Sequence, residues 1–265
     1  MIDRLKYVYT GIFLTILMLP LVIVFGVSLN EKKVLFFPPR GVSGKWYSEL
    51  FVNPQWFEPL MTSLAVAVMT ALLALAVALP VAYFLWRYKI VYAKILFTVG
   101  LLPFAFPPVI TAMGMLLLWV SLGHVGAIEN VVLGHMIFLL AMPLAMISLG
   151  FESISKELLE AAETMGANRR EVFTTVVLPI VAPFLVSSFA FVFVLSMNEF
   201  VISFFVGQSQ VVTLPVQIFS SLRGGYSPTI ASASVVFILL SFLVFGLIGI
   251  FGNLPKLLGA YEHQS

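Results

Sequence analysis

The sequence predicts an all-α membrane protein with six transmembrane helices, and three observations carry that prediction. Hydrophobic residues make up 61% of the 265 and charged ones only 10%, against about 25% charged in an ordinary soluble domain. The charges leave free stretches between Lys6 and Glu31, Glu58 and Arg87, Lys94 and Glu129, Glu129 and Glu152, Glu171 and Glu199, and from Gly224 to Lys256. Each can supply the roughly 20 apolar residues that a helix needs to cross about 30 Å of hydrocarbon. Cysteine is absent, which excludes disulfides and thiolate metal sites. There is no basic face of the kind that binds nucleic acid.

In chain order the spans are expected at 7–28, 59–85, 95–120, 129–150, 175–205 and 229–252. The first has too long an apolar core for a secretory signal and no convincing cleavage site, so it is expected to remain in the mature chain. Residues 29–57 form the longest outer connection. Their Pro-Pro, glycine and aromatic residues predict a short extended piece with turns, and Trp46, Tyr47, Trp56 and Phe57 are expected at the lipid headgroup level. The second span is rich in Ala, Ser and Thr, so neighbouring helices can approach it closely. Pro103, Pro107 and Pro108 interrupt the third, which is expected to be broken and to line the interior. Pro20, Pro80, Pro143 and Pro183 predict further bends. Residues 207–228 are too polar for a span and predict a partly embedded outer segment with a short helix near 215–222.

Lys and Arg in the short connections set the orientation. With a cytoplasmic N-terminus, that side holds nine: Arg4, Lys6, Arg87, Lys89, Lys94, Lys156, Arg169, Arg170 and Lys256. The other side holds five: Lys32, Lys33, Arg40, Lys45 and Arg223. Both termini are therefore expected in the cytoplasm.

One helical segment is polar. Between Phe151 and Pro179, Ile154, Leu158, Leu159, Ala162 and Met165 recur at helical spacing, with Lys156, Glu157, Glu160 and Glu163 between them. Ser155 can cap its start and Gly166 can end it. Asn168, with Glu171 three residues on, has capping-box spacing for a second helix that enters the membrane near Leu178-Pro179. A helix this short is marginal alone in water, so its apolar stripe needs cover. An inner-leaflet interface helix would normally carry Lys and Arg on its polar side instead of three acids. Docking to another protein is the alternative.

The segment EAAETMGANRREVFTTVVLP resembles the EAA loop of bacterial ATP-binding-cassette importer permeases. Glu160-Ala161-Ala162, Gly166, Val176 where Ile is common, and Leu178-Pro179 stand at that motif's spacing. The resemblance implies a type I importer permease fold of the MetI-like kind, with 1–265 as one transmembrane permease domain and 151–178 as a cytoplasmic coupling loop. It also implies a coupling helix over 155–165 seated on a separate ATPase. There Ala161 and Ala162 would allow close approach, Glu160 would offer a polar contact, Gly166 would set the turn, and motion would pass through Pro179.

The six-span layout, Trp46-Tyr47, and the segments FVLSMNEFVISFFVG and TLPVQIFSSLRGGYSPTIASAS extend the likeness to the second permease of spermidine/putrescine type. The implied solute is a cation such as a polyamine. Permeases for aminophosphonate, iron, thiamine or sulfate are also similar. The implied partners are a second permease subunit, an ATPase dimer that binds ATP and Mg, an extracytoplasmic solute-binding protein and the bilayer of the bacterial inner membrane. No Walker motif occurs in this chain, so it is not expected to be an enzyme. A non-transporting membrane scaffold is the alternative of another class.

Glu199 lies in the fifth apolar stretch, where a carboxylate costs about 2.5–3.5 kcal/mol at the helix centre on insertion scales. It is expected either to line the solute path with Ser196, Asn198 and Ser203, or to hold an interface or a wet outer end. His135, inside the fourth span, reads either as a pH-sensitive ligand or as a hydrogen-bonding group between helices. No catalytic set or metal cluster is legible.

Overall fold

The computed structural model describes residues 2–225 and 227–251. Lys256 and the last residue of the sixth expected span lie outside them. In chain order the helices are α1 (Ile2–Ser28), α2 (Lys45–Val52), α3 (Pro54–Tyr88), α4 (Val91–Ala105), α5 (Pro108–Ser121), α6 (Ile128–Leu139) and α7 (Ala141–Glu152). There follow α8 (Lys156–Thr164), α9 (Arg169–Glu171), a π-helical stretch (Val172–Val177), α10 (Leu178–Asn198), α11 (Val201–Val206), α12 (Leu214–Gly224) and α13 (Pro228–Phe251). Four continuous helical runs are long and apolar enough to cross a membrane: Arg4–Ser28, Pro54–Tyr88, Arg169–Asn198 and Pro228–Gly246. The bent pairs α4–α5 and α6–α7 bring the number to six if each pair is one span. Backbone donors and acceptors in hydrocarbon must be satisfied within the chain, and helices do this.

The chain forms two compact units. The first comprises Met1–Met61 and Leu214–Leu240. Here residues 29–57 depart from expectation. They contain α2, whose Trp46 and Leu50, four residues apart, are both buried. Trp46 and Trp56 are only 6% and 4% exposed, so these two rings are packed inside the protein instead of facing headgroups. For Trp46 the reason is Asn30, which is fully buried. Its carbonyl accepts from Trp46 Nε1 at 2.5 Å, its amide nitrogen donates to the carbonyl of Phe36 at 2.7 Å, and its Oδ1 accepts from Arg40 N at 2.9 Å. Asn30→Ala is expected to destabilise this unit by about 1–3 kcal/mol, because buried partners are left unpaired. Faster proteolysis of 31–45 in the purified protein would register it. The short helix expected at 215–222 is present as α12.

Among the described residues, the second unit comprises Thr62–Thr213 and those from Ser241 on. The small residues of α3 form its buried face: Ala67, Ala71, Ala74, Ala78 and Ala82 recur at helical spacing and are at most 1% exposed. Their size lets other helices lie close, which matters where lipid is as apolar as the side chains. Thr70 Oγ1 adds a bond to the carbonyl of Val132 at 3.4 Å. Toward one end, Val66, Ala71 and Ala74 join Ala112, Val131, Val192 and Ile202 in one buried cluster. Toward the other, Ala78 and Ala82 join Leu144, Ile147, Phe151, Leu159, Ala162 and Val181.

Proline accounts for the bends. Between α4 and α5 the axis turns by 110°. Phe106, forced extended by the following proline, has φ −97° and ψ 154°, and Pro107 is also extended before Pro108 starts α5. The 50° bend between α6 and α7 lies beside Pro143, which withholds a backbone donor near the joint.

Candidate functional site

The polar segment folds as its local sequence dictates. Ser155 Oγ accepts from Leu158 N at 3.3 Å and starts α8. Gly166 ends the turn with φ +86°, a left-handed conformation in which a side chain costs energy. Asn168 and Glu171 form the complete capping box: Asn168 Oδ1 accepts from Arg170 N and Glu171 N, and Glu171 Oε2 accepts from Asn168 N at 2.7 Å. From Arg169 the helix continues to Asn198 without interruption.

The helix widens over Val172–Val177 into π geometry just ahead of Pro179. A proline ring clashes with the carbonyl four residues back in a regular helix, here that of Thr175, and a wide turn relieves the clash. The Thr174 and Thr175 hydroxyls donate to the carbonyls of Arg170 and Glu171 at 2.9 and 2.6 Å. They thereby occupy acceptors around the widened turn.

Helix α8 has two apolar faces, and they do different things. Leu159 and Ala162 are buried in the cluster with α3 and α7, so Ala162 packs against its own chain. Leu158, Ala161 and Met165 face outward with Glu160, and Met165 is 83% exposed. Leu178 is half-buried and Pro179 exposed at the start of α10. Glu163, beside Glu160 in the motif, accepts from Arg87 Nη2 at 2.7 Å. Tyr83 and Trp86 of α3 pack on Phe151, and Tyr83 also meets Phe173 edge-on with ring centres 5.3 Å apart. This end of α3 therefore grips both arms of the loop. No local signal in the sequence pairs Arg87 with Glu163, because 76 residues separate them.

The second group of expected residues sits where the fifth span breaks. The run expected at 175–205 is helical only to Asn198; Glu199 is extended, and α11 starts at Val201. The break follows from the carboxylate. Glu199 Oε1 accepts from Val201 N at 3.1 Å, and Oε2 accepts from Ile202 N and Ser203 N at 2.8 and 3.3 Å. An acid that costs free energy in lipid is thus matched to three amides released by the broken helix.

His135 of α6, 0% exposed, lies against the same break. Its Nδ1 is 2.8 Å from Ser196 Oγ, and its Nε2 is 2.9 Å from Ser203 Oγ and 3.4 Å from Glu199 Oε2. Beside it, Gly134 lets α11 approach: a Cβ there would stand 2.7 Å from Ile202 Cγ2. Ser196, Glu199 and Ser203 are thus brought together. Asn198 is not part of that set; it is exposed, and its amide donates to the carbonyl of Val194 at 2.8 Å. Of the two readings of His135, the hydrogen-bonding one is realised. The partnership with Ser196 and Ser203 is not legible beforehand, since it depends on a break hidden within an unbroken apolar run.

Residues 78–253 match the family described as binding-protein-dependent transport system inner membrane component. The chain is 30% identical over 245 residues to the putrescine transport system permease protein PotI of Escherichia coli K12, covering 90% of this chain and 84% of that one. It is 27% identical over 202 residues to the spermidine/putrescine permease PotC of Haemophilus influenzae, covering 76% and 79%. Among solved structures, a bacterial importer of the acidic polysaccharide alginate superposes with a TM-score of 0.71 at 17% identity, over 94% of this chain and 96% of that one. The methionine transporter MetNI superposes at 0.61 and 18%, over 77% and 95%. These two likenesses establish the MetI-like permease fold. The chain therefore belongs to the binding-protein-dependent transport system inner membrane components: it is a permease subunit of an ATP-binding-cassette importer, which works with a second permease, a separate ATPase and a solute-binding protein.

Proposed function

We propose that this permease passes a cationic solute of the polyamine class and is driven by an ATPase seated on the outward face of α8. Membership of the transporter family sets aside the scaffold alternative. The observation that carries the solute reading is the carboxylate of Glu199 at the break in the fifth span, in a chain whose curated relatives include a putrescine and a spermidine/putrescine permease. In this reading Asn198 is the exposed member that meets the solute. Glu199 stands behind it as a source of negative potential, and Ser196 and Ser203 hold the wall in shape.

At the other end, Glu160 and Ala161 contact the ATPase, Ala162 seats the helix on its own chain, Gly166 fixes the corner, and Leu178 and Pro179 carry motion into α10. The chain acts as a single permease domain over 1–265, with 151–178 in the cytoplasm, 29–57 outside and both termini in the cytoplasm. The nine-to-five distribution of Lys and Arg supports that orientation.

Uptake by the purified complex in proteoliposomes, supplied with its binding protein and internal ATP, tests the solute class. Labelled putrescine is expected to accumulate, and excess spermidine to compete with it. Accumulation of sulfate, aminophosphonate, thiamine or iron with no polyamine uptake would overturn the assignment.

A further inference from the structure

We infer that His135 is a positioning residue for transport: its Nε2–H tautomer ties the break between α10 and α11 to α6 and so fixes where Asn198 and Glu199 stand. The inference rests on the proposed role of that break in the solute path.

The hydrogen bonds assign the tautomer. Ser203 Oγ donates to the carbonyl of Glu199 at 3.2 Å, so its one proton is in use and it can only accept from His135 Nε2. The Glu199 carboxylate oxygen 3.4 Å away is also an acceptor and would repel a bare nitrogen lone pair there. Nε2 therefore carries hydrogen. Ser196, 4% exposed, has no other side-chain acceptor among the hydrogen bonds of the described residues, so its hydroxyl donates to a bare Nδ1. Both ring nitrogens are thereby occupied, and the imidazole has no free position for solute.

The geometry of the joint gives this bridge its consequence. Ser196 is the last buried polar residue before the break, and Ser203 lies in the helix after it. One ring on α6 thus holds both sides of the segment that carries the exposed Asn198, with the buried Glu199 carboxylate behind it. Elsewhere α11 is short, with six residues, and a helix of that length needs outside support. Removing the ring would leave two buried hydroxyls and one carboxylate oxygen without their third-party partner.

Uptake by the reconstituted complex tests this with a cycle of variants. His135→Phe keeps the volume and removes both bonds; it is expected to lower the maximal uptake rate about tenfold or more, with complex yield within about twofold. His135→Gln, whose amide can donate toward Ser203 and Glu199, should recover to within about threefold of the parent. Ser203→Ala should lower uptake alone and add nothing to His135→Phe, as expected for groups acting through one contact.

A His135→Gln variant no better than His135→Phe, or additive losses in the double variant, would overturn the inference. If His135→Phe does not assemble, the single hydroxyl removals decide: Ser196→Ala and Ser203→Ala should each reduce uptake about threefold, and unchanged uptake in both overturns it. Asn198→Ala separates this inference from the reading on which it rests. Normal uptake in Asn198→Ala, together with a coupled His135–Ser203 pair, would sink the solute-path assignment and leave the bridge standing.

Discussion

Gly166→Val is expected to abolish ATP-driven uptake while the chain still inserts in the membrane. The backbone at Gly166 has φ +86°, where a β-branched residue is strained by about 1–3 kcal/mol. Space is not the obstacle, since a Cβ there would meet nothing within 4 Å. The strain must be relieved by moving the corner, and the corner sets the angle between α8 and the capped helix that begins at Arg169. Helix α8 has only nine residues and is seated by Leu159, Ala162 and the Arg87–Glu163 pair, so a displaced corner pulls it against that seat. Gly166→Asn should retain more transport than Gly166→Val, because Asn tolerates left-handed backbone. Uptake and ATPase activity measured in the same vesicles check this; equal transport by the glycine and valine forms would contradict it.

Glu199→Ala is expected to have the largest effect in the membrane interior. It leaves the amides of Val201, Ile202 and Ser203 without their acceptor. Each buried unpaired donor costs about 1–3 kcal/mol, so the break should remodel and the yield of assembled complex should fall together with uptake. Glu199→Gln keeps one acceptor oxygen and similar volume. Its amide nitrogen then faces an N–H that the carboxylate satisfied, so it should assemble less well than the parent but better than Glu199→Ala, and lose about tenfold or more in uptake of a cation per assembled complex, the loss expected of a missing charge-assisted interaction. Detergent extraction, chromatography and uptake on both variants separate the two effects. A Glu199→Gln form that assembles poorly, while the complex that does form takes up solute at the parent's rate per molecule, would make the residue purely structural.

The two ends of this molecule were unequally legible from sequence. Around Gly166 the determinants are local. Ser155, Gly166, Asn168 and Glu171 each act on backbone within a few residues, so capping rules place the two helices and their corner. The buried face of α3 is also legible, because Ala67 through Ala82 repeat with the helical period.

The break at Glu199 is different. The apolar run continues through it, and the helix stops because a carboxylate folds back onto three amides. That competition appears in sequence only as one polar pair, Asn198-Glu199. Likewise Trp46 reads as an interface ring until the carbonyl of Asn30, 16 residues away, is found to accept its indole proton. Prolines announced the bends but not their size: 110° at Phe106-Pro107 and 50° beside Pro143. The two faces of α8 could not be separated either, since which apolar residue packs inward is decided by α3 and α7.

Those two faces give the most direct test of coupling to an ATPase. The chain has no cysteine, so an introduced thiol is the only one it carries, and the complex of the cysteine-free parent serves as the control for thiols of the partner subunits. Ala161→Cys faces outward, whereas Ala162→Cys, at a position 6% exposed, faces α3. In membranes containing the assembled complex, a short thiol-to-amine cross-linker should join Ala161→Cys to the ATPase subunit and leave Ala162→Cys unjoined. A cross-link to the ATPase from Ala162→Cys alone, or from neither position, would contradict the account.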